Sequence, residues 1–394
     1  MHRFRLSRPV VTLSVVLLAS ACSINHRPPA TIASLSNDAI ALRTTERATV
    51  DTIIERLAQR AVKRGDRMLD ILMLSGGGQM GAYGAGFLRG WQSRNDGSFP
   101  QFDLVTGIST GALQSAFALI GTKASIDTLA AIYRAAGDRI APSIDWTFWL
   151  RKTGGLVNTK RYRKSIEEIL DERMQRDLRA AFADGRQLAI ATADYDLAIG
   201  HTWDVSRELD STRAGRERVQ RLLLAASAIP GVFPPVVIDS HVHGDGGIVG
   251  NLLPVLGLDE YRRLAKRLNE LGVRDPVTVR VWGLMNIWTH APLAVLNPSS
   301  RKQVSARGTL VLFYSHQPQQ MRDIETLAIA VTHDVPGIRM QTHFTAIPQQ
   351  LSLDPAAAKL FNSPFMLKLE TLGYARGRGD KGWDSIVSPF ERPQ

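Results

Sequence analysis

The sequence predicts an α/β fold built on a central, mainly parallel sheet, and two stretches carry that prediction. Ile71-Leu72-Met73-Leu74-Ser75 runs into Gly76-Gly77-Gly78-Gln79-Met80-Gly81, and Asp103-Leu104-Val105-Thr106 runs into Gly107-Ile108-Ser109-Thr110-Gly111. Each is a short apolar run, then glycines, then an Ala/Leu-rich segment, which is the pattern of strand, tight turn and helix. Two such units in succession imply parallel strands with both turns at carboxyl ends, where open α/β sheets place their sites. A third observation is composition: 394 residues, 44% hydrophobic and 22% charged, is ordinary for globular chains.

The chain opens with Arg3, Arg5 and Arg8, then an apolar run from Val10 to Ala19 ending in Leu18-Ala19-Ser20-Ala21-Cys22. A basic start and a short apolar run before small residues describe an export signal, and the run is too short to span a bilayer. Cys22 is the only cysteine, so no intrachain disulfide can form. Its place after small residues resembles a bacterial lipoprotein signal, in which that cysteine is lipidated, although Leu18 lies one position earlier than usual. Plain cleavage after Ala19-Ser20-Ala21 and an uncleaved anchor are the alternatives. Residues 1–21 are therefore read as a signal peptide, and the protein as exported to a bacterial cell envelope and lipid-anchored there.

Residues 22–66 are read as a tether followed by a helix. The tether is polar to about Thr45 and carries Pro28-Pro29; Val50, Ile53, Ile54, Leu57 and Ala61 then recur at helical spacing from Glu46 to Arg64. Residues 67–255 hold the glycine turns and form the expected core. In it, Ala112–Ile120 and Ile126–Ala136 read as apolar helices, and Lys160–Ala183 as a charged helix pair. Gln187–Thr192 and His201–Val205 read as strands around a turn at Asp194-Tyr195-Asp196. The aromatic stretch Ser143–Gly155, with Trp146, Phe148 and Trp149, suits a lid or acyl-chain wall, or simple buried packing. Arg218–Ala228 reads as a helix stopped by Ile229-Pro230-Gly231. Residues 256–394 are an extension packed on the core, with a helix at Leu258–Leu271, a strand at Val277–Leu284, helices near Leu310–Tyr314 and Ile324–Val331, and a segment from Phe361 to Tyr374. Trp282, Trp288 and Trp383 suit core or interface positions.

Net charge is +11, from 48 Lys and Arg against 37 Asp and Glu, and the charges are mixed along the chain. A solvated, mildly cationic surface is the plain consequence, with attraction to anionic lipid head groups the sharper one. No recognition motif or aromatic–basic interleaving points to nucleic acid.

Chemistry concentrates in the second turn. Gly107-Ile108-Ser109-Thr110-Gly111 between strand and helix is the setting of a nucleophile elbow, which presents Ser109 Oγ at a helix N-terminus. Serine needs a base to take its proton. An ordinary α/β-hydrolase would supply an acid and then a histidine, yet none of His290, His316, His333 and His343 sits in a recognisable turn after an acid-bearing strand.

Four motifs in order settle the reading. They are Gly76-Gly77-Gly78 with Gly81; Gly107-x-Ser109-x-Gly111; Ala225-Ala226-Ser227-Ala228-Ile229-Pro230-Gly231 with Phe233-Pro234-Pro235; and Asp245-Gly246-Gly247. In kind and order this set resembles the patatin-like phospholipases over residues 70–255. The resemblance implies a three-layer α/β/α fold and a serine acyl hydrolase working on phospholipids or related lipids at a membrane surface, without metal or cofactor. It implies Ser109 as nucleophile, Asp245 as base, and an oxyanion site of Gly76, Gly77 and Gly78 N–H groups with Thr110, Gly107 and Gly111 shaping the elbow. Met80 departs from the pattern, where the family often carries Arg or Lys. A non-catalytic envelope lipoprotein that keeps the fold as a scaffold is the reading from a different class.

Two other patterns compete. Gly76-x-Gly78-x-x-Gly81 also fits a dinucleotide fingerprint, which expects an acid ending the second strand, whereas Asp103 begins it. His241, His243 and Asp245 share one face of an extended segment, as metal ligands could, but structural histidines are the commoner origin of such a pattern.

Overall fold

The computed structural model describes residues 27, 29–139, 143–144, 154–359, 361–386, 388 and 390–392. Cys22 and the aromatic cluster of Trp146, Phe148 and Trp149 lie outside the described residues.

The strands are β1 (Met68–Leu74), β2 (Leu104–Ile108), β3 (Ser143–Ile144), β4 (Val157–Asn158), β5 (Gln187–Asp194), β6 (Ile199–Asp204), β7 (Val236–Ile238), β8 (His241–Asp245), β9 (Val277–Met285) and β10 (Ile338–Ala346). The main helices are α1 (Ile32–Arg64), α2 (Gly81–Gln92), α3 (Thr110–Ile120), α4 (Lys123–Arg139), α5 (Lys160–Ile169), α6 (Glu172–Ala183), α7 (Arg213–Ala226), α8 (Leu258–Glu270), α9 (Arg301–Asp334) and α10 (Ser363–Arg378). β10, β9, β1, β2 and β5 lie side by side and parallel, while β6 and β8 run antiparallel to β5 and β7 antiparallel to β8. β3 and β4 form a separate two-stranded ribbon.

Helices cover both faces of the sheet. The path β1–α2–β2–α3–β5 steps outward from β1 in one direction, and β9–α9–β10 steps the other way. Right-handed crossovers therefore place α2 and α3 on one face and α9 on the other. α10 packs on α2, and α8 packs on α1. Burial on both sides explains why β1, β2 and β5 are almost wholly buried along their length.

Four elements differ from the sequence reading. Helix α1 starts at Ile32, within the stretch expected to be a tether, because Thr31 and Ser34 form a capping box: the Thr31 hydroxyl accepts from Ser34 N and the Ser34 hydroxyl from Thr31 N, both at 3.1 Å. α9 is one helix of 34 residues rather than two, with Pro318 inside it. β10 was not foreseen; it joins the open edge of β9, alternating buried Ile338 and Met340 with exposed Arg339 and Gln341. β5 continues to Asp194.

The lower end of the sheet is tied by charge. Arg60 Nε donates to Asp103 at 2.9 Å, Arg64 Nη1 to Asp103 at 2.6 Å, and Arg280 Nε to Asp70 at 2.7 Å. Asp70 and Asp103 are fully buried at the amino ends of β1 and β2, away from the glycine turns. The acid a dinucleotide would need is thus at the wrong end of its strand, consumed by α1.

Candidate active site

The register of β5 sets the site. One edge of β5 is filled by β6 from Ala189 to Asp194. Its other edge is shared: Gln187–Ala191 pair with β2, and Thr192–Asp194 pair with β8. β2 climbs and ends at Ile108, opposite Ala191; β8 descends and ends at Asp245, opposite Thr192. The two strands meet head to head, so Ser109 and Asp245 emerge at the same junction from opposite directions.

At that junction the Ser109 hydroxyl lies beside the Asp245 carboxylate and pulls its pKa down against burial. Ser109 itself holds φ 52° and ψ −121°, a conformation that costs a residue with a side chain about 1–3 kcal/mol. The flanking glycines let it happen: a Cβ on Gly107 would lie 2.5 Å from the Gly111 carbonyl oxygen, and one on Gly111 would lie 2.2 Å from that of Leu74. Helix α3 begins at once with Thr110, so its unpaired N–H groups and positive dipole end surround the serine.

Asp245 is 5% exposed. Burial pushes its carboxyl up to about 6, against the opposing pull of hydrogen bonds from the Ser109 hydroxyl and the Gly247 N–H, the latter at 2.8 Å. Its own N–H donates to Ala228 O at 2.9 Å, which ties the base to the small-residue segment before Pro230. Tyr162, buried and edge-on to Phe233 at 5.4 Å, hydrogen-bonds Ser227 in that segment.

The glycine loop faces this pair. A Cβ on Gly76 would be 3.0 Å from Ser109 Cβ, and one on Gly77 would strike the Asn286 carbonyl oxygen at 1.8 Å. Gly78 takes φ +57°. The N–H groups of Gly77 and Gly78 have no partner among the described residues, but Gly76 N–H donates to Asn251 Oδ1 at 2.9 Å. That corrects the sequence-based oxyanion set: Gly76 is held by a side chain and is not a free donor. The Thr110 hydroxyl is likewise engaged with the Tyr133 hydroxyl, leaving only its backbone N–H at the helix start.

Two residues that sequence reasoning did not single out shape the loop. Asn251 also donates from Nδ2 to Gln317 Oε1 at 2.8 Å, so it bridges the loop to α9. Asn286 donates to Ser75 O and to Gln114 Oε1, both at 2.8 Å, clamping the end of β1 against α3. The only sequence signal for Asn251 is its place six residues past Asp245. Met80 is half-buried against the core, and Gln79 receives Asn362 N–H at 2.8 Å, fastening the C-terminal segment to the loop.

The histidines have other work. His290 Nε2 donates to the Ser388 carbonyl oxygen at 3.2 Å while its Nδ1 shares a hydrogen bond with the Thr289 hydroxyl, His343 stacks on Trp282 at 4.2 Å, and His333 pairs with Asp334 on the surface. His241 Nδ1 meets Asp194 Oδ2 at 2.7 Å, and His243 Nδ1 meets Thr192 Oγ1 at 3.0 Å. Asp194, His201 and His243 bring one ligand atom each within 4.8 Å of one another, as do Asp194, Asp196 and His241. Tetrahedral zinc would need its ligand atoms about 3.4 Å apart. Both Asp194 oxygens are already used, Oδ1 by the N–H groups of Asp196 and Leu197 and Oδ2 by His241. Hydrogen bonding therefore accounts for Asp194, His241 and His243, whereas His201 Nδ1 is buried without a partner among the described residues; Asp245 does not belong to the cluster.

Residues 72–259 match the family model described as patatin-like phospholipase. The chain is 28% identical over 204 residues to the cGAMP-activated phospholipase of Pseudomonas aeruginosa (strain BWHPSA011 / Pa011), covering 49% of this chain and 56% of that relative. It thus spans little more than half the length of that protein. Among solved structures it matches VipD from Legionella pneumophila at 12% identity and a TM-score of 0.33, over 78% of this chain and 66% of that one.

Proposed function

We propose that this patatin-like phospholipase domain is a serine acyl hydrolase that cleaves carboxylic esters of lipids through a Ser109–Asp245 dyad. The carrying observation is the junction of β2 and β8, which seats the Ser109 hydroxyl on a buried carboxylate at the start of α3. Ser109 Oγ attacks the acyl carbonyl as Asp245 takes its proton. The oxyanion is received by the N–H groups of Gly77 and Gly78, with the α3 N-terminus adding favourable field. Collapse expels the alcohol, which recovers the proton from Asp245, and leaves Ser109 acylated. Water then attacks the ester, giving its proton to Asp245. The second collapse frees the carboxylic acid and returns the proton to Ser109 Oγ.

The raised Asp245 carboxyl supports the role, because an ordinary aspartate near 3.9 is a weak base at neutral pH. The Met80 departure leaves the backbone donors in place, since they belong to Gly77 and Gly78. Ser109→Ala should lower turnover of a soluble short-chain ester by about 10⁴-fold or more. A fluorophosphonate should label wild type at Ser109 and leave the variant unlabelled. Near-wild-type turnover in Ser109→Ala, or no labelling of the wild type, would favour the non-catalytic scaffold instead.

A further inference from the structure

The first three turns of α9 stand clear of the rest of the protein. Residues 301–306 and 308–312 are exposed on every side, and Arg307 is half-buried. Packing resumes at Phe313, partly buried against the core, and at Tyr314, whose ring lies parallel to Trp288 at 6.4 Å, and continues through buried Gln317 and Pro318. A helix segment of this length is marginal in water without a partner. This one is also apolar where it should be polar: Val304, Leu310, Val311 and Leu312 are exposed, as are Leu293 and Val295 in the loop leading to it.

Its charge is one-sided. No Asp or Glu occurs between Asp275 and Asp323, whereas Arg301, Lys302 and Arg307 all fall in the projecting turns. None of the three forms an ion pair among the described residues. Apolar side chains interleaved with cations, free of carboxylates, match the boundary of an anionic bilayer, where acyl chains lie beneath phosphate. A second copy of this chain would offer α9 an equally cationic surface.

The projection continues into the part of α9 that braces the site. Gln317 and Gln320 of α9 hold Asn251, which holds Gly76 of the glycine loop. Leu312 is five residues from Gln317, about 8 Å along the helix. Beside the base, Ile229, Ile248 and Val249 are exposed and apolar, extending the same character around the rim of the site.

We infer that the N-terminal half of α9 and the loop before it dock on an anionic phospholipid surface and set the Ser109 site against it. This rests on the lipid-hydrolase reading for its purpose, but it can be tested apart from it. In the full chain, Leu312→Cys in a Cys22→Ser background takes an environment-sensitive fluorophore at one position; Lys123→Cys on α4 serves as control. Vesicles of phosphatidylcholine containing phosphatidylglycerol should blue-shift the probe at 312 and not at 123. Binding should be about a hundredfold weaker when Arg301, Lys302 and Arg307 are replaced by Gln. No shift at 312 with the anionic vesicles would overturn the inference. So would a shift without vesicles that grows with protein concentration, which is the signature of a second copy. In parallel, Val311→Asp with Leu312→Asp should slow hydrolysis of vesicle phospholipid about tenfold and leave soluble-ester turnover at the wild-type value. If the wild type turns over no soluble ester while the probe still shifts, the catalytic reading fails and the docking stands.

Discussion

In the proposed dyad the chemistry turns on Asp245, and its environment gives it a pH signature. Burial holds its carboxyl near 6, and only the ionised form can accept the Ser109 proton. Protonation below that point removes the base, so activity rises with pH through about 6 and levels off above. For a soluble ester, kcat/KM should show one ascending limb there; a profile already flat from pH 4 upward would contradict the assignment. Ser109 and Asp245 were both legible, because Gly-x-Ser-x-Gly and Asp-Gly-Gly are local patterns whose geometry their own glycines impose. Asn251 and the loss of Gly76 as a donor were not. An asparagine at a turn looks the same in sequence whether it caps the turn or reaches across the site, and 175 positions separate it from its partner.

At the scale of elements, the closest packing in the molecule joins α2 and α10. Cβ atoms on Gly86 and Gly90 would lie 2.1 Å from the carbonyl oxygens of Glu370 and Tyr374, and Cβ atoms on Gly373 and Gly377 would lie 2.1 Å from those of Tyr83 and Phe87. The two helices touch backbone to backbone in both directions. Gly373→Ala must push them apart and should cost on the order of 2 kcal/mol in urea unfolding. Gly308→Ala, in the open turns of α9 with nothing within 4 Å, should be neutral or stabilising by up to about 1 kcal/mol. A matching loss at both positions would mean that the contact between α2 and α10 is not what makes Gly373 costly to replace. This pairing was invisible beforehand, since the spacing of glycines in α2 and α10 does not say which helix each will meet. The helices expected near Leu310–Tyr314 and Ile324–Val331 are one helix, α9, with Pro318 between them. Inside a helix it removes one hydrogen bond, and buried contacts at Gln317, Met321 and Ile324 offset that loss.

For the whole molecule, the class of fold followed from two strand–turn–helix units, but the order of strands did not. Nothing in Val277–Met285 declares that it will occupy the free edge of β1, or that β10 will extend the sheet beyond it. The assembled protein also bears the cost of its base. A carboxyl whose value rises from 3.8 to about 6 on folding contributes stability that is complete below 3.8 and lost as pH climbs through 6. Asp245→Asn can keep the Gly247 hydrogen bond and offer its amide to Ser109 while carrying no charge. It should therefore be inactive yet more stable than wild type at pH 7, by roughly 2 kcal/mol, with the advantage fading toward pH 4. Urea midpoints at the two pH values measure this, and equal stability at pH 7 would show that the carboxylate is solvated rather than strained by burial.

The head-to-head meeting of β2 and β8 has a consequence for when the protein becomes dangerous. The proposed nucleophile and base stand 136 positions apart in the chain and come together only after both of their strands have paired with the same edge of β5. Pairing across such separations comes late, because loop closure must precede any reward from contact. On the proposed mechanism, a nascent or half-folded chain thus holds a serine with no base and cannot hydrolyse the lipids it passes. The fold itself acts as the safety catch, released by completion of the sheet rather than by removal of an inhibitor.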